Sequence, residues 1–450
     1  MPLSSRATEN GDGPQNAAGR LDERESVALR RAVLSSRGRV SRAIKSSKGK
    51  AVAYADNVVP AELRRLLERE LDVMAERPDA DFQPGSQGRV QNLINPSMYP
   101  YIRGTSHLRD RGAGFEVASP DSPAPGSSWT YQCLPSQIFV DAEGDATIRS
   151  YVNNVDREST GDLYNTMELL FALFVPMFES VLKKKLRSRE LQVIVKAVNY
   201  VIQPEGRSYE GGWHMEGMEH EHIVAAGMYY YSTSPCLQDV GLKFRPMSSP
   251  PPTTTTTANS DRLRLLVETV EVMRMLRTST REIRRYVRSR PARQPTPGDE
   301  IMRFDGVDAR RMRYQPADAR APGEFVIPTR ENRLLVFANE IRHKVGSLVN
   351  TGASTGVRKT FMFFLVDPGA TIVSTRDVPA QQWERVRLRQ AAALRAASGL
   401  PDEILSNIVA RAKSGFTSAE ARAHRLRFLR ERMVFVDDDS ADDDDGALDG

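Results

Sequence analysis

Apolar positions along the chain change rhythm several times. From Pro60 the leucines Leu63, Leu66, Leu67 and Leu71 recur at helical spacing on one face of a charged segment, which predicts an amphipathic helix. A stretch rich in Pro and Gly follows, from Pro78 to about Pro135. Residues 136–155 then alternate as strands do around the turn Glu143-Gly144-Asp145. Residues 162–186 carry Leu169, Leu170, Leu173, Phe174 and Phe178 and predict a second, strongly apolar helix. After it the texture becomes short β-branched and aromatic runs bounded by Gly and Pro, at 191–203, 212–217, 223–232, 242–245, 323–327, 333–337, 343–347 and 358–366. Residues 379–433 read as helical again, with a break at Gly399-Leu400-Pro401.

Eight short strands suffice for two packed four-stranded sheets or a closed barrel, and with the helices they make the fold class α+β. The series is interrupted between Met247 and Pro322 by 76 residues that contain a proline triplet, an unbroken run of five threonines and a basic amphipathic pattern, including Leu263, Leu266, Val270, Met273 and Leu276. A helical insertion on the rim of the β-fold accounts for them. The expected divisions are a disordered basic segment 1–50, a mixed region 51–190 packed on the barrel, a β-core 191–376 with insertion 247–322, a helical support 377–433 and a disordered acidic tail 434–450.

Composition narrows the class without naming it. With 450 residues, 40% apolar and 27% charged, the chain is long enough for a large core. Cys133 and Cys236, its two cysteines, cannot make a disulfide framework or a multi-cysteine zinc site. Apolar runs such as 361–366 fall short of a membrane span, and the first residues do not resemble a secretory signal, so the expected address is cytoplasmic or nuclear with no membrane partner. The net charge of +5 hides eight aspartates among the last fourteen residues and basic blocks at 30–50 and 262–293. Such blocks suit an acidic protein or nucleic acid, although solvated surface is their commoner meaning.

Six histidines occur, which makes their placement informative. His214 and Glu216 flank one residue in Gly212-Trp213-His214-Met215-Glu216-Gly217. On a strand both side chains would share a face. His343 opens a later run, 129 residues on, a spacing that suits a barrel once the insertion is set aside. Two histidines and a carboxylate can hold one face of an octahedral ion, leaving positions for a bidentate oxo acid and dioxygen. Arg358, opening the last run, could pair with the far carboxylate of that acid in a fork geometry unavailable to lysine.

Several blocks extend this pattern. Residues 191–196, Tyr209-Glu210-Gly211-Gly212-Trp213-His214-Met215-Glu216-Gly217, Glu221-His222-Ile223-Val224-Ala225, residues 332–339, Arg358-Lys359 and Phe364-Leu365-Val366-Asp367-Pro368 resemble an uncharacterised eukaryotic family best known from fungi. That family is usually assigned to the double-stranded β-helix oxygenases. The resemblance spans about Cys133 to Trp383. It implies a double-stranded β-helix of jelly-roll or cupin-like type and a metal site, but no substrate. The sequence departs from the family at Glu219-His220, at Ala338 and in its long insertion.

The expectation is an oxygenase using Fe(II), 2-oxoglutarate and dioxygen, of hydroxylase or demethylase type, with His214, Glu216 and His343 on the metal and Arg358 on the oxo acid. Tyr200 and Tyr229 are candidate cosubstrate contacts, against core packing as the plainer role. Lys196 is either a lysine snorkelling at a sheet edge or the partner of a carboxylate in the lumen. His222 is expected at the rim and Asn339 as a turn residue near the metal. Two other classes stay open: a non-catalytic β-helix module that binds an acidic partner or nucleic acid through the insertion, and a cupin-type metal-dependent hydrolase or isomerase, for which His220 and His222 would be an alternative ligand pair.

Overall fold

A computed structural model describes residues 21–47, 51–109, 115–117, 129–158, 160–204, 206–246 and 324–437. The expected helical insertion 247–322 lies outside the described residues, as do 1–20 and the tail from 438 onward. Within the bounds 1–247 and 326–432 the described residues form one compact unit.

The chain enters through helix α1 (Glu23–Ala43), started by a capping box in which the Asp22 carboxylate accepts from Glu25 N–H and the Glu25 carboxylate accepts from Asp22 N–H. The expectation of disorder as far as residue 50 is corrected for this stretch. Leu29, Val33 and Val40 are too few to signal a core by composition, yet they share a face and are buried in the main core cluster. Strand β1 (Val52–Asp56) and helix α2 (Ala61–Ala75) follow, with Leu63, Leu66, Leu67 and Leu71 all buried as their spacing predicts. The Pro- and Gly-rich stretch hides strand β2 (Val90–Ile94), all five residues of which are buried. Strand β3 (Ser136–Val140) turns back through Gly144, at φ +91°, to pair with Ala146–Ile148.

Helix α3 (Leu163–Leu182) is apolar and long enough to cross a bilayer by composition, but 72% of its most apolar window is buried inside the protein. It is the core helix. The strands after it are β4 (Arg189–Ile202), β5 (Ser208–Tyr209), β6 (Ile223–Thr233), β7 (Leu237–Asp239), β8 (Leu242–Pro246), β9 (Phe325–Ile327), β10 (Arg333–Ala338), β11 (Ile341–Val345), β12 (Leu348–Asn350) and β13 (Gly356–Val366). A large antiparallel sheet runs β1-β10-β6-β13-β4-β2, and two small sheets run β5-β12-β7 and β9-β8-β11. The chain passes repeatedly between the large sheet and the small ones, so strands paired in space, such as β4 and β13, are distant in sequence.

The large sheet has two chemically different faces. Val193, Val195, Ala197, Tyr229, Tyr231, Phe361 and Phe363 belong to the core cluster that contains α3, and Phe363 meets Phe171 and Phe174 edge-on at centroid distances of 5.1 and 5.6 Å. Gly227 is required there, because a Cβ would stand 2.8 Å from Phe174 Cδ1. The alternate residues Lys196, Tyr200, Met228, Tyr230, Arg358, Thr360 and Met362 line a cavity on the opposite face. Helices α4 (Trp383–Ser398), α5 (Asp402–Arg411) and α6 (Ser418–Asp437) complete the described chain, with Gly399 in the left-handed region at the expected break.

Candidate metal centre

Residues 212–217 do not form the expected strand. Only His214 is paired, in an isolated antiparallel bridge to His343, with N–H to carbonyl distances of 3.0 Å in both directions. This bridge brings together two histidines from distant parts of the sequence, and their ring centroids lie 4.4 Å apart. Glu216 follows two residues later, and its Oε1 stands 3.8 Å from His214 Nε2 and 3.3 Å from His343 Nε2. One ligand atom from each of the three lies within 4.8 Å of the others, the only such group of His, Cys, Asp and Glu among the described residues. Donors about 2.1 Å from one ion, at right angles, would lie about 3 Å apart, so a modest contraction suffices for coordination.

Each member is held from behind. His214 Nδ1 lies 2.9 Å from the Gly212 carbonyl, which leaves Nε2 for the cavity. The Glu216 N–H donates to Asn339 Oδ1 at 2.8 Å, and Asn339 Nδ2 donates back to Glu216 O at 2.8 Å and to Ile223 O at 3.0 Å. In place of the local turn bonds expected of it, Asn339 ties the metal-site loop to the end of β10 across 123 residues of sequence. His343 is 1% exposed and packs on Phe337 at a centroid distance of 4.5 Å, and neither ring nitrogen makes a well-formed hydrogen bond, Nε2 having only the Glu216 carboxylate at 3.3 Å. A buried imidazole so poorly hydrogen-bonded is costly unless a further group completes it.

The electrostatics suit a cation. Burial favours a neutral Glu216, but the neighbouring His214 and His343 outweigh it and hold the carboxyl well below its usual range. Burial and the nearby His214 push His343 down to about 4, keeping it neutral and ligating-competent near neutral pH. His214 is also opposed by burial, yet Glu216 raises it above the ordinary imidazole value.

Arg358 enters from β13 on the cavity face and is 1% exposed. Its Nη1 donates to the Asp239 carboxylate and, at 3.3 Å, to Thr329 Oγ1. Its guanidinium carbon sits 4.6 Å from the Tyr200 ring centre, and its buried Nε has no partner. One edge of the guanidinium is therefore fixed while an orphaned donor remains. Tyr200 reaches this cavity, its hydroxyl pushed up by burial. Tyr229 does not: it points into the α3 core and donates to Asn332 Oδ1 at 2.9 Å, while Tyr230 faces the cavity. The run Tyr229-Tyr230-Tyr231 looks the same in either parity, so only strand pairing could choose. His222 is exposed at a left-handed turn after residues 219–221, and His220 stacks on Trp129 at 4.1 Å with Nε2 near Tyr131 O, so this pair does not form a ligand set. Lys196 is not on an edge strand, since β4 is paired by β13 and β2.

Sequence reading missed a buried pair beneath this loop. Glu221 is fully buried, accepts from Cys133 N–H and Met218 N–H, and pairs with Arg432 of α6 at 2.9 Å. Its place in Glu-His-Ile was visible, but its partner 211 residues away carries no local signal.

The antiparallel sheets and the cluster of His214, Glu216 and His343 define a protein with a candidate metal centre at a cavity that residues of the large sheet also line. The chain belongs to the family described as "Protein of unknown function (DUF4246)", whose pattern matches residues 31–189 and 182–387. No curated protein matches it in sequence. Among solved structures it is similar to a prolyl hydroxylase from Trichoplax adhaerens in complex with a hypoxia inducible factor peptide fragment, at 7% identity and TM-score 0.29, covering 78% of this chain and 95% of that one. It is similar also to the Fe(II)/(alpha)ketoglutarate-dependent dioxygenase TqaL, at 9% identity and TM-score 0.33, covering 78% and 93%. A third is an oxidoreductase of the 2OG-Fe(II) oxygenase family from Burkholderia pseudomallei, at 8% identity and TM-score 0.30, covering 70% and 85%. At such TM-scores these likenesses carry no argument about this chain.

Proposed function

We propose that this protein is an Fe(II)- and 2-oxoglutarate-dependent oxygenase built on a double-stranded β-helix, with His214, Glu216 and His343 as metal ligands and Arg358 as the cation for the distal carboxylate of the oxo acid. The observation that carries the reading is His343. A buried imidazole without a well-formed hydrogen bond converges with a second imidazole and a carboxylate, and the cavity they share contains an arginine with an unsatisfied buried Nε. Two imidazoles and one carboxylate suit Fe(II) with positions left open. Bound there, the metal and oxo acid would supply oxidation by dioxygen.

The chain's own residues supply orientation. Gly212 O sets the His214 ring, Asn339 fixes the backbone of Glu216, and Asp239 with Thr329 presents the remaining guanidinium edge of Arg358. Tyr200 lends its ring face to that guanidinium. Met228 and Met362 give the cavity an apolar wall.

Metal content tests the ligand assignment. Purified wild type should retain Mn(II) or Fe(II) in equilibrium dialysis, and a His214→Ala, Glu216→Ala double variant should lose it; equal content in the two would overturn the assignment. Conversion of 2-oxoglutarate to succinate, dependent on both Fe(II) and oxygen, then separates an oxygenase from a binding module and from a metal-dependent hydrolase.

A further inference from the structure

Two cavities meet at Glu216. The one described above holds Arg358 and Tyr200. The other lies toward Asn95, Ser97, Ile194 and Phe364. Glu216 and Lys196 line both.

Lys196 is the unexplained member. Its neighbours on the cavity face of β4 are Ile194, Val198 and Tyr200, and the residue opposite it on β13 is Met362. Among the described residues it makes no hydrogen bond and no ion pair, although its charge acts on both His214 and Glu216. An ammonium half-buried in such a wall is poorly solvated, and an anion would compensate it. The other cations here are engaged: Arg358 with Asp239, and Arg432 with Glu221.

We propose that Lys196 is the docking cation for a carboxylate group of the primary substrate, which enters through the cavity bordered by Asn95, Ser97 and Phe364. This rests on the oxygenase reading, in which the oxo acid uses the Arg358 side and leaves the opposite side of the metal centre to the substrate. The choice of a carboxylate follows from charge. In the oxygenase reading the Glu216 charge is taken up by the metal, so the single Lys196 cation balances a monoanion, whereas a phosphate dianion would leave charge unmatched in a confined site. The Ser97 hydroxyl, which makes no hydrogen bond among the described residues, is a neutral donor for the same group.

Footprinting Lys196 in the full chain tests this. Reductive methylation at Lys196, read by mass spectrometry, is titrated with butyrate, butyramide and inorganic phosphate, each with and without Mn(II) plus 2-oxoglutarate. A charge-assisted hydrogen bond should give butyrate half-protection at about a tenfold lower concentration than butyramide, and phosphate should be weaker than butyrate. Equal protection by butyrate and butyramide overturns the proposal, as does stronger protection by phosphate. Protection by 2-oxoglutarate that butyrate cannot add to, or loss of 2-oxoglutarate binding in Lys196→Met, assigns the lysine to the oxo acid and overturns it too. Failure of wild type to bind Mn(II) and 2-oxoglutarate refutes the oxygenase reading instead, while the metal-free arm still decides the role of Lys196.

Discussion

Asn339 offers a direct test of how the fold holds its metal loop. Its side chain accepts from Glu216 N–H and donates to Glu216 O and Ile223 O, three bonds of 2.8–3.0 Å made by a residue only 9% exposed. Asn339→Ala removes all three and leaves buried backbone groups without partners. At about 1 kcal/mol net per bond, with a further penalty for any group water cannot reach, the cost should be about 2–4 kcal/mol. Asn339→Asp keeps the acceptor for Glu216 N–H but turns a carboxylate oxygen toward two carbonyls, and should be at least as damaging. Because Asn339 orients a proposed ligand, metal affinity should fall roughly 10–100-fold as well. Urea unfolding gives the first quantity, and Mn(II) titration followed by electron paramagnetic resonance gives the second. An Asn339→Ala protein within about 0.5 kcal/mol of wild type, the range of an inert surface change, would refute the stability argument. Unchanged Mn(II) affinity would refute the positioning role.

Other consequences arise from buried charges and thiols. Arg432→Leu strands the fully buried Glu221 carboxylate and should cost about 3–5 kcal/mol, whereas the Glu221→Leu, Arg432→Leu double variant should cost less than the two single changes combined, as a double-mutant cycle would show. The hydrogen bond from Arg333 holds Asp56 below its ordinary value of 3.8 despite partial burial. A depressed folded-state value stabilises above the unfolded value and is lost as the pH falls through the folded one. The stability gap between wild type and Asp56→Asn should therefore be full at neutral pH and close below about pH 4, and a gap independent of pH would contradict it. Cys133 is buried and its thiol is pushed up by that burial. Ellman's reagent at pH 8 should find Cys133 unreactive in the native protein and accessible in guanidinium.

The local elements were legible because their signals are local. Helical spacing of Leu63, Leu66, Leu67 and Leu71 marked α2, apolar density marked α3, and Gly399 marked the break between α4 and α5. Strand-like runs marked β6, β10 and β13. In contrast, α1 carries too few apolar residues to signal itself, and it forms because the core supplies the surface that buries Leu29 and Val33. Strand β2 was hidden by the Pro and Gly around it, since its five buried residues carry no alternation of apolar and polar positions.

The sequence by itself determined which residue types could do chemistry: a His-x-Glu pair, a distal histidine and an arginine, spaced so that a barrel could unite them. Tertiary structure alone decided the rest. The antiparallel bridge between His214 and His343 sets the ligands face to face, and strand pairing turns Tyr230 rather than Tyr229 toward the cavity. Pairing across 119 residues places Asp239 against Arg358, and pairing across 211 places Arg432 against Glu221. The physical reason is common to all of these. Side-chain identity fixes donor chemistry, but strand parity, long-range partners and the solvation of Lys196 arise only when segments distant in sequence are packed together.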